Sequence, residues 1–273
     1  MGKEAQNFVT IIDRYNQRAE RTNSLLCVGL DSRFEHLPTE FQQQVHPQFN
    51  FNRYIIEQTH EFVAAYKPNM AFYEERGEKG WHELRLTMDY LRSTHPDIFT
   101  ICDAKRADIG STSEAYARAI FDELGFDAMT LHPYLGRDAL EPFLRREDKC
   151  CLILCRTSNE GAGEFQDLEI NGKPLWQHVA ETVYKEWNQS ENCMLVVGAT
   201  YPNEMRQIRS LVGDMTLLVP GIGVQGGNVE QTVTAGLNSQ NKGLIINSSR
   251  GIIFSEDPAR AARELRDAIN LYR

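Results

Sequence analysis

The sequence predicts an α/β protein built as a closed (β/α)8 TIM barrel, and three observations carry that prediction. Eight short, near-continuous apolar runs recur along the chain, amphipathic segments separate them, and nearly every run ends on a polar or charged residue. Apolar strands alternating with helices imply a parallel sheet covered by helices. Eight such units in 273 residues match a barrel, whose chemistry gathers at the C-terminal ends of the strands. An open, doubly wound sheet is the competing architecture, and the polar strand ends favour closure over it. No linker, low-complexity tract or internal repeat divides the chain, so residues 1–273 are expected to form a single catalytic domain.

Taken in order, LLCVGLD from Leu25 ends on Asp31, and VAAYKPN from Val63 delivers Lys67 and Asn69. IFTICDAK from Ile98 ends on Asp103 and Lys105, and AMTLHPY from Ala128 reaches His132. CLILCRT from Cys151 leads to Ser158, and CMLVVGAT from Cys193 ends on Thr200. TLLVPGI from Thr216 contains Pro220, and GLIINSSR from Gly243 closes on Arg250. Between them, WHELRLTMDYLRS from Trp81 places Leu84, Met88 and Leu91 on one helical face. SEAYARAIFDELG from Ser113, PLWQHVAETVYKEW from Pro174 and ARAARELRDAINLYR from Ala259 read the same way. The stretch from Gly161 to Pro174, GAGEFQDLEINGKP, reads as a long loop after the fifth strand, placed to cover the mouth. Trp81, Trp176 and Trp187 fall in helical segments and read as packing residues.

A hydrophobic content of 41% and a charged content of 25% are those of an ordinary globular protein. The net charge of -9 argues against general affinity for nucleic acid or anionic membrane, because both reward positive patches. An anionic substrate must therefore be drawn by a local cluster of Lys and Arg. The N-terminal M-G-K-E-A-Q-N lacks the apolar core of a signal peptide and the hydroxyl residue of a myristoylation signal, and no run is long enough to span a bilayer. A cytoplasmic protein is expected, and the sequons at Asn188 and Asn247 read as chance. The six cysteines show no C-x-x-C or Cys/His ligand spacing and read as reduced, buried thiols. His132 likewise lacks a ligand-spaced partner and reads as structural.

The third run ends D-A-K-R-A-D, and strand alternation puts Asp103 and Lys105 on the same face. The bland reading is a salt-bridge network at a strand end. Against it, the pair points inward at the functional end of the barrel, Lys67 ends the neighbouring strand, and Asp108 with G-S-T follows directly. Desolvating so many charges usually costs as much as their attraction returns, so stability alone does not explain the cluster. At 4 Å and an effective dielectric near 20, each pair interacts by roughly 4 kcal/mol, enough to set protonation and geometry. A lysine between aspartates is expected to stay protonated and to act as a proton donor, suited to meeting a carbanion. A neighbouring carboxylate can repel an anionic substrate group and so favour its departure as a neutral molecule such as CO2.

P-G-I-G-V-Q-G-G, from Pro220, contains G-x-G-x-x-G, but it lies at the seventh run and lacks the acidic residue of a dinucleotide site about twenty positions later. In a barrel, the loops after strands seven and eight often hold a phosphate on backbone N–H groups. Arg250 adds a bidentate cation and Gln225 an amide donor. Turn glycines and a surface arginine are the bland alternative.

With these pieces in place, D-A-K-R-A-D-I-G-S-T resembles the signature of the orotidine 5'-phosphate decarboxylases, in the longer bacterial-type variant with Ala and Arg flanking the lysine. The resemblance extends through G-L-D, K-P-N, C-R-T-S-N-E-G-A, P-G-I-G-V-Q-G-G and N-S-S-R-G, and so covers nearly the whole chain. It implies a homodimeric barrel that converts orotidine 5'-monophosphate to UMP and CO2 with no metal or organic cofactor. It implies that Lys105 protonates C6 of the pyrimidine, that Asp103 lies beside the departing carboxylate, and that Lys67 and Asp108 complete the charge network. Asp108, Ile109 and Thr112 would reach into the partner subunit's site. Asp31 and Asn69 would bind ribose hydroxyls, Ser158 the pyrimidine amide edge, Gln225 and Arg250 the phosphate, and Pro220 would line the pocket.

Three other readings compete. A sister barrel acting on a sugar phosphate, such as a ketogulonate-phosphate decarboxylase or hexulose-phosphate synthase, shares D-x-K-x-x-D but needs Mg2+. A Schiff-base aldolase would use Lys105 or Lys67 as nucleophile, which calls for a lowered lysine pKa, the opposite of what flanking carboxylates do. A non-catalytic phosphate-binding barrel would hold nucleotide without turnover.

Overall fold

The computed structural model describes residues 10–222 and 227–273, and among them eight parallel strands close into a barrel. They are β1 (Leu26–Val28), β2 (Ala65–Tyr66), β3 (Phe99–Arg106), β4 (Ala128–Leu131), β5 (Cys150–Arg156), β6 (Cys193–Val197), β7 (Leu217–Pro220) and β8 (Leu244–Ser248). Each pairs with the next, and β8 returns to β1 with Leu26 opposite Ile246 and Cys27 opposite Asn247. That last pairing rules out the open sheet. The strands are buried almost throughout because one face fills the barrel and the other lies under helices, which is why they read as continuous apolar runs.

The floor is built for stability. Helix Ile11–Arg21 is held at its N-terminus by a capping box between Thr10 and Asp13. Its fully buried Tyr15 donates to the carbonyl of Leu244 at 2.6 Å and meets the Phe99 ring edge-on at 5.6 Å, placing the helix beneath the starts of β8 and β3. Beside it Asp127 pairs with Arg14 and accepts from the backbone and hydroxyl of Thr100, both at 2.9 Å.

The helical segments from Trp81 and Ala259 form as Gly77–Thr94 and Pro258–Asn270. Those from Ser113 and Pro174 form as Gly110–Ala117 and Leu175–Thr182, and each continues as a wider π-helical turn, Arg118–Glu123 and Val183–Trp187, that apolar spacing does not reveal. Trp176 is buried and Trp187 packs on the core, but Trp81 stays exposed near the start of its helix.

The expected loop from Gly161 to Pro174 is more ordered than its composition implies. It holds a short helix, Gly163–Gln166, and a hairpin pairing Glu169–Ile170 with Lys173–Pro174. Asn171 and Gly172 turn the hairpin with φ of 53° and 75°, the left-handed pair that an Asn-Gly turn favours. All six cysteines are buried and free of disulfides, and burial pushes the Cys27, Cys155 and Cys193 thiols up to about 12, which keeps them inert. Among the described residues, no helix is long and apolar enough to cross a membrane.

Candidate active site

A cavity of about 690 Å³ opens at the C-terminal ends of the strands, and Asp31, Lys67, Asn69, Asp103, Lys105, Ser158, Pro220 and Arg250 all line it. Residues from six different strand ends thus converge on one space, the arrangement that barrel geometry provides.

The K-P-N segment after β2 continues alongside β3. The Asp103 N–H donates to the Pro68 carbonyl at 3.0 Å, the Met70 N–H donates to the Asp103 carbonyl at 3.1 Å, and Asn69 bridges to Asp103. On the other side the Lys67 N–H donates to Val28 and its carbonyl accepts from Leu30, so the lysine backbone is fixed from both flanks. Its side chain is 4% exposed and its Nζ donates to Asp103 Oδ2 at 3.0 Å.

Lys105 reaches the same carboxylate by a different route from simple strand alternation. The β3–β4 register runs from Cys102 opposite Met129 to Arg106 opposite Leu131, so Asp103, Ala104 and Lys105 bulge opposite the single residue Thr130. Lys105 takes a left-handed backbone with φ of 48°, rare for a residue with a side chain. From that bend its Nζ donates to Asp103 Oδ1 at 2.5 Å. Thr130, which sequence reasoning missed, is 1% exposed and lines the cavity. Arg106 turns away, pairing with Glu74 and lying over the Tyr116 ring at 5.3 Å.

These contacts set the charge states. Burial raises the Asp103 carboxyl, but Lys67 and Lys105 overcome it and hold the group well below the usual carboxylate range. Burial pulls the Lys67 ammonium down, yet the Asp103 and Asp31 carboxylates outweigh it and hold the lysine above its ordinary value. A lowered-pKa Schiff-base lysine is therefore not what position 67 provides. Asp31 Oδ1 is buried with no hydrogen-bond partner among the described residues, an acceptor suited to a ligand hydroxyl.

Around the rim, Ser158 sits where the loops after β5 and β6 touch. A Cβ on Gly198 would lie 2.8 Å from the Ser158 Cβ and 2.9 Å from its Cα and N, so glycine is what permits this approach. Arg156 stacks on the Tyr201 ring at 4.0 Å and donates to Gln166 at 3.3 Å and Asp167 at 3.1 Å. Gln166 in turn bonds the backbone and hydroxyl of Thr157, which ties the ordered segment after β5 to the cavity wall. Opposite, exposed Arg250 opens a short helix beside Pro220 and Gly221, and no carboxylate among the described residues pairs with it. Arg33, His36, Phe72 and Phe254, missed in the sequence, complete this side of the cavity. Gln225 lies outside the described residues.

Asp108, Ile109 and Thr112 do not line this chain's cavity. They follow β3 on the outer surface, where the Asp108 carboxylate accepts from the Ile109 N–H at 2.7 Å and Ile109 is 64% exposed. His132 is also absent from the lining. Its N–H donates to the Arg106 carbonyl at 3.1 Å, closing the bulge.

Residues 24–265 match the orotidine 5'-phosphate decarboxylase / HUMPS family. The orotidine 5'-phosphate decarboxylase of Christiangramia forsetii is 48% identical over 242 residues, 89% of this chain and 88% of that protein. That of Cellvibrio japonicus is 44% identical over 274 residues, covering 97% of this chain and all (100%) of the relative. Among solved structures, Leishmania donovani OMP decarboxylase superimposes with a TM-score of 0.87 at 40% identity, covering 96% of this chain and 98% of that one.

The charge network makes stability depend on pH in a definite direction. Because the folded Asp103 carboxyl is depressed, its contribution is present above the ordinary carboxylate pKa of about 3.9 and is lost as pH falls through the folded value. The raised Lys67 contributes below about 10.4 and loses its contribution as pH rises through its folded value. Asp103→Asn leaves Lys67 buried beside one fewer carboxylate and is expected to lose about 3 kcal/mol at neutral pH, as broken buried pairs do. Urea titrations of parent and variant should show that gap narrowing as pH falls below about 4. A gap constant with pH would contradict the assigned charge states.

Proposed function

We propose how this site works from the premise that the chain belongs to the orotidine 5'-phosphate decarboxylase / HUMPS family and converts orotidine 5'-monophosphate to UMP and CO2. The observation that carries the reading is the Asp103 carboxylate gripped between Lys67 and Lys105 on the cavity wall. The substrate carboxylate lies beside Asp103, which Lys67 and Lys105 keep ionised, so like charges face each other in the bound ground state. Breaking the C6–carboxylate bond releases neutral CO2 and leaves the electron pair on C6. The Lys105 ammonium then gives its proton to C6 and forms UMP. No step draws on a metal or an organic cofactor.

Arg250 and Gln225 take the phosphate, Asp31 and Asn69 the ribose hydroxyls, and Ser158 the amide edge of the pyrimidine, with Pro220 against the ring. Among the described residues Asp31 Oδ1 has no hydrogen-bond partner and Arg250 no carboxylate partner, which supports this division. Phosphate binding far from the reacting carbon holds the base against the charged wall, so its energy contributes to the transition state as well as to affinity. The acidic net charge of -9 fits a cytoplasmic enzyme, acting as one catalytic domain on a small anion and leaving nucleic acid and membrane alone.

The active form is a homodimer in which Asp108, Ile109 and Thr112 serve the partner subunit's site. Their exclusion from their own cavity supports this, as does the exposure of the apolar residues Ile109 after β3 and Tyr134, at 85%, and Leu135, at 42%, after β4.

Lys105→Ala is expected to lower turnover at least 10²–10⁴-fold, each tenfold being about 1.4 kcal/mol of transition-state stabilisation, while UMP still binds and the fold persists. Near-parent turnover would remove Lys105 as the proton donor. Mixing inactive Lys105→Ala with inactive Asp108→Asn should restore activity, because the hybrid dimer contains one site with both residues intact. If no activity returns although subunits exchange, Asp108 acts within its own chain.

A further inference from the structure

The bulge in β3 leaves a physical problem that one uncharged residue solves. Opposite Asp103, Ala104 and Lys105 the β4 strand offers only Thr130, so the Lys105 N–H has no ladder carbonyl to meet. It donates instead to Thr130 Oγ1 at 2.9 Å. With that lone pair committed to an N–H, the hydroxyl proton must point to another acceptor, and Asp103 Oδ1 lies 2.9 Å away. Asp103 Oδ1 is the oxygen that also receives the Lys105 ammonium. One buried hydroxyl therefore touches both the backbone of the lysine and the carboxylate that anchors its side chain, and it does so at a residue whose φ of 48° an ordinary side chain avoids.

We infer that Thr130 is a positioning residue for the decarboxylation: its hydroxyl holds the Lys105 backbone bend and the Asp103 carboxylate in register, so that the Lys105 ammonium is aimed at one point in the cavity. The inference rests on Lys105 acting as the proton donor. Without the hydroxyl, the Lys105 N–H and one Asp103 lone pair lose their partner in a largely buried place, and the bulge relaxes towards a conformation that satisfies them by other means. Relaxation moves the ammonium, and a displacement near 1 Å at a reacting group costs about 10²-fold in rate. Phosphate and ribose are held by groups on other strand ends, so affinity for substrate is left nearly unchanged.

The test is the set Thr130→Val, Thr130→Ala and Thr130→Ser in the full chain, with kcat and KM for orotidine 5'-monophosphate and the melting temperature measured for each. Valine keeps the shape and removes the hydroxyl, while serine keeps the hydroxyl. The expected result is a kcat lower by about 10–100-fold in Val with KM within about threefold, and a Ser variant within about threefold of parent in both. If Val does not fold, the comparison of Ala with Ser decides in the same terms. A folded Val or Ala variant with parent-like kcat, or a Ser variant as slow as Val, overturns the inference. An inactive Lys105→Ala beside a fully active Thr130→Val sinks the role of Thr130 and leaves the proton donor standing, whereas an active Lys105→Ala removes both.

Discussion

The Asp103 carboxylate accepts from the Lys67 ammonium on one oxygen and from the Lys105 ammonium and the Thr130 hydroxyl on the other, and the upper half of the barrel is organised around that grip. A carboxylate only 12% exposed stays ionised only if its surroundings supply charge and hydrogen bonds together. Three neighbouring strands deliver them: β2 sends Lys67, β3 bulges to bring Lys105 back, and β4 contributes the hydroxyl. Closing the barrel fixes all three in one frame, which a loop-borne cluster would not achieve.

The same grip explains how a protein with net charge of -9 can work on a polyanion. The cavity concentrates Lys67, Lys105, Arg33 and Arg250 in a field that is otherwise acidic, and Asp31 and Asp103 are the carboxylates that share the wall with them. In the proposed mechanism the cations at the phosphate end draw substrate in, and the ionised Asp103 meets the one substrate group that must leave. In that mechanism attraction and repulsion are separated along the length of the ligand, so that binding energy gained at one end offsets unfavourable charge at the other. The framework beneath, with Tyr15 sealed under β8 and β3 and Asp127 tied to Arg14 and Thr100, gives this cluster a rigid base.

Much of this was legible in the sequence because barrels write their chemistry at strand ends. Asp31, Lys67, Asn69, Asp103, Lys105, Ser158, Pro220 and Arg250 each follow or end an apolar run, and each reaches the cavity. The meeting of Asp103 with Lys105 was also legible, but its cause was not: a two-residue period explains it on paper, whereas the chain uses a bulge and a left-handed lysine. Thr130 was hidden because a threonine inside AMTLHPY carries the signal of an ordinary strand residue, and its value lies in what the bulge sets opposite it. The hairpin at Asn171-Gly172 was hidden by its brevity, since two residues per strand give no periodicity to read. Arg33, His36, Phe72 and Phe254 reach the cavity from segments outside the strands, where no sequence period marks an inward direction.

The central claim is that this charged wall decarboxylates orotidine 5'-monophosphate by itself. The most direct measurement is the ultraviolet absorbance of orotidine 5'-monophosphate after adding purified protein in excess EDTA, with the product identified. Rapid, chelator-insensitive loss of substrate with UMP as the product is the predicted result. No loss from folded protein, or loss only when a divalent cation is restored, would contradict the account.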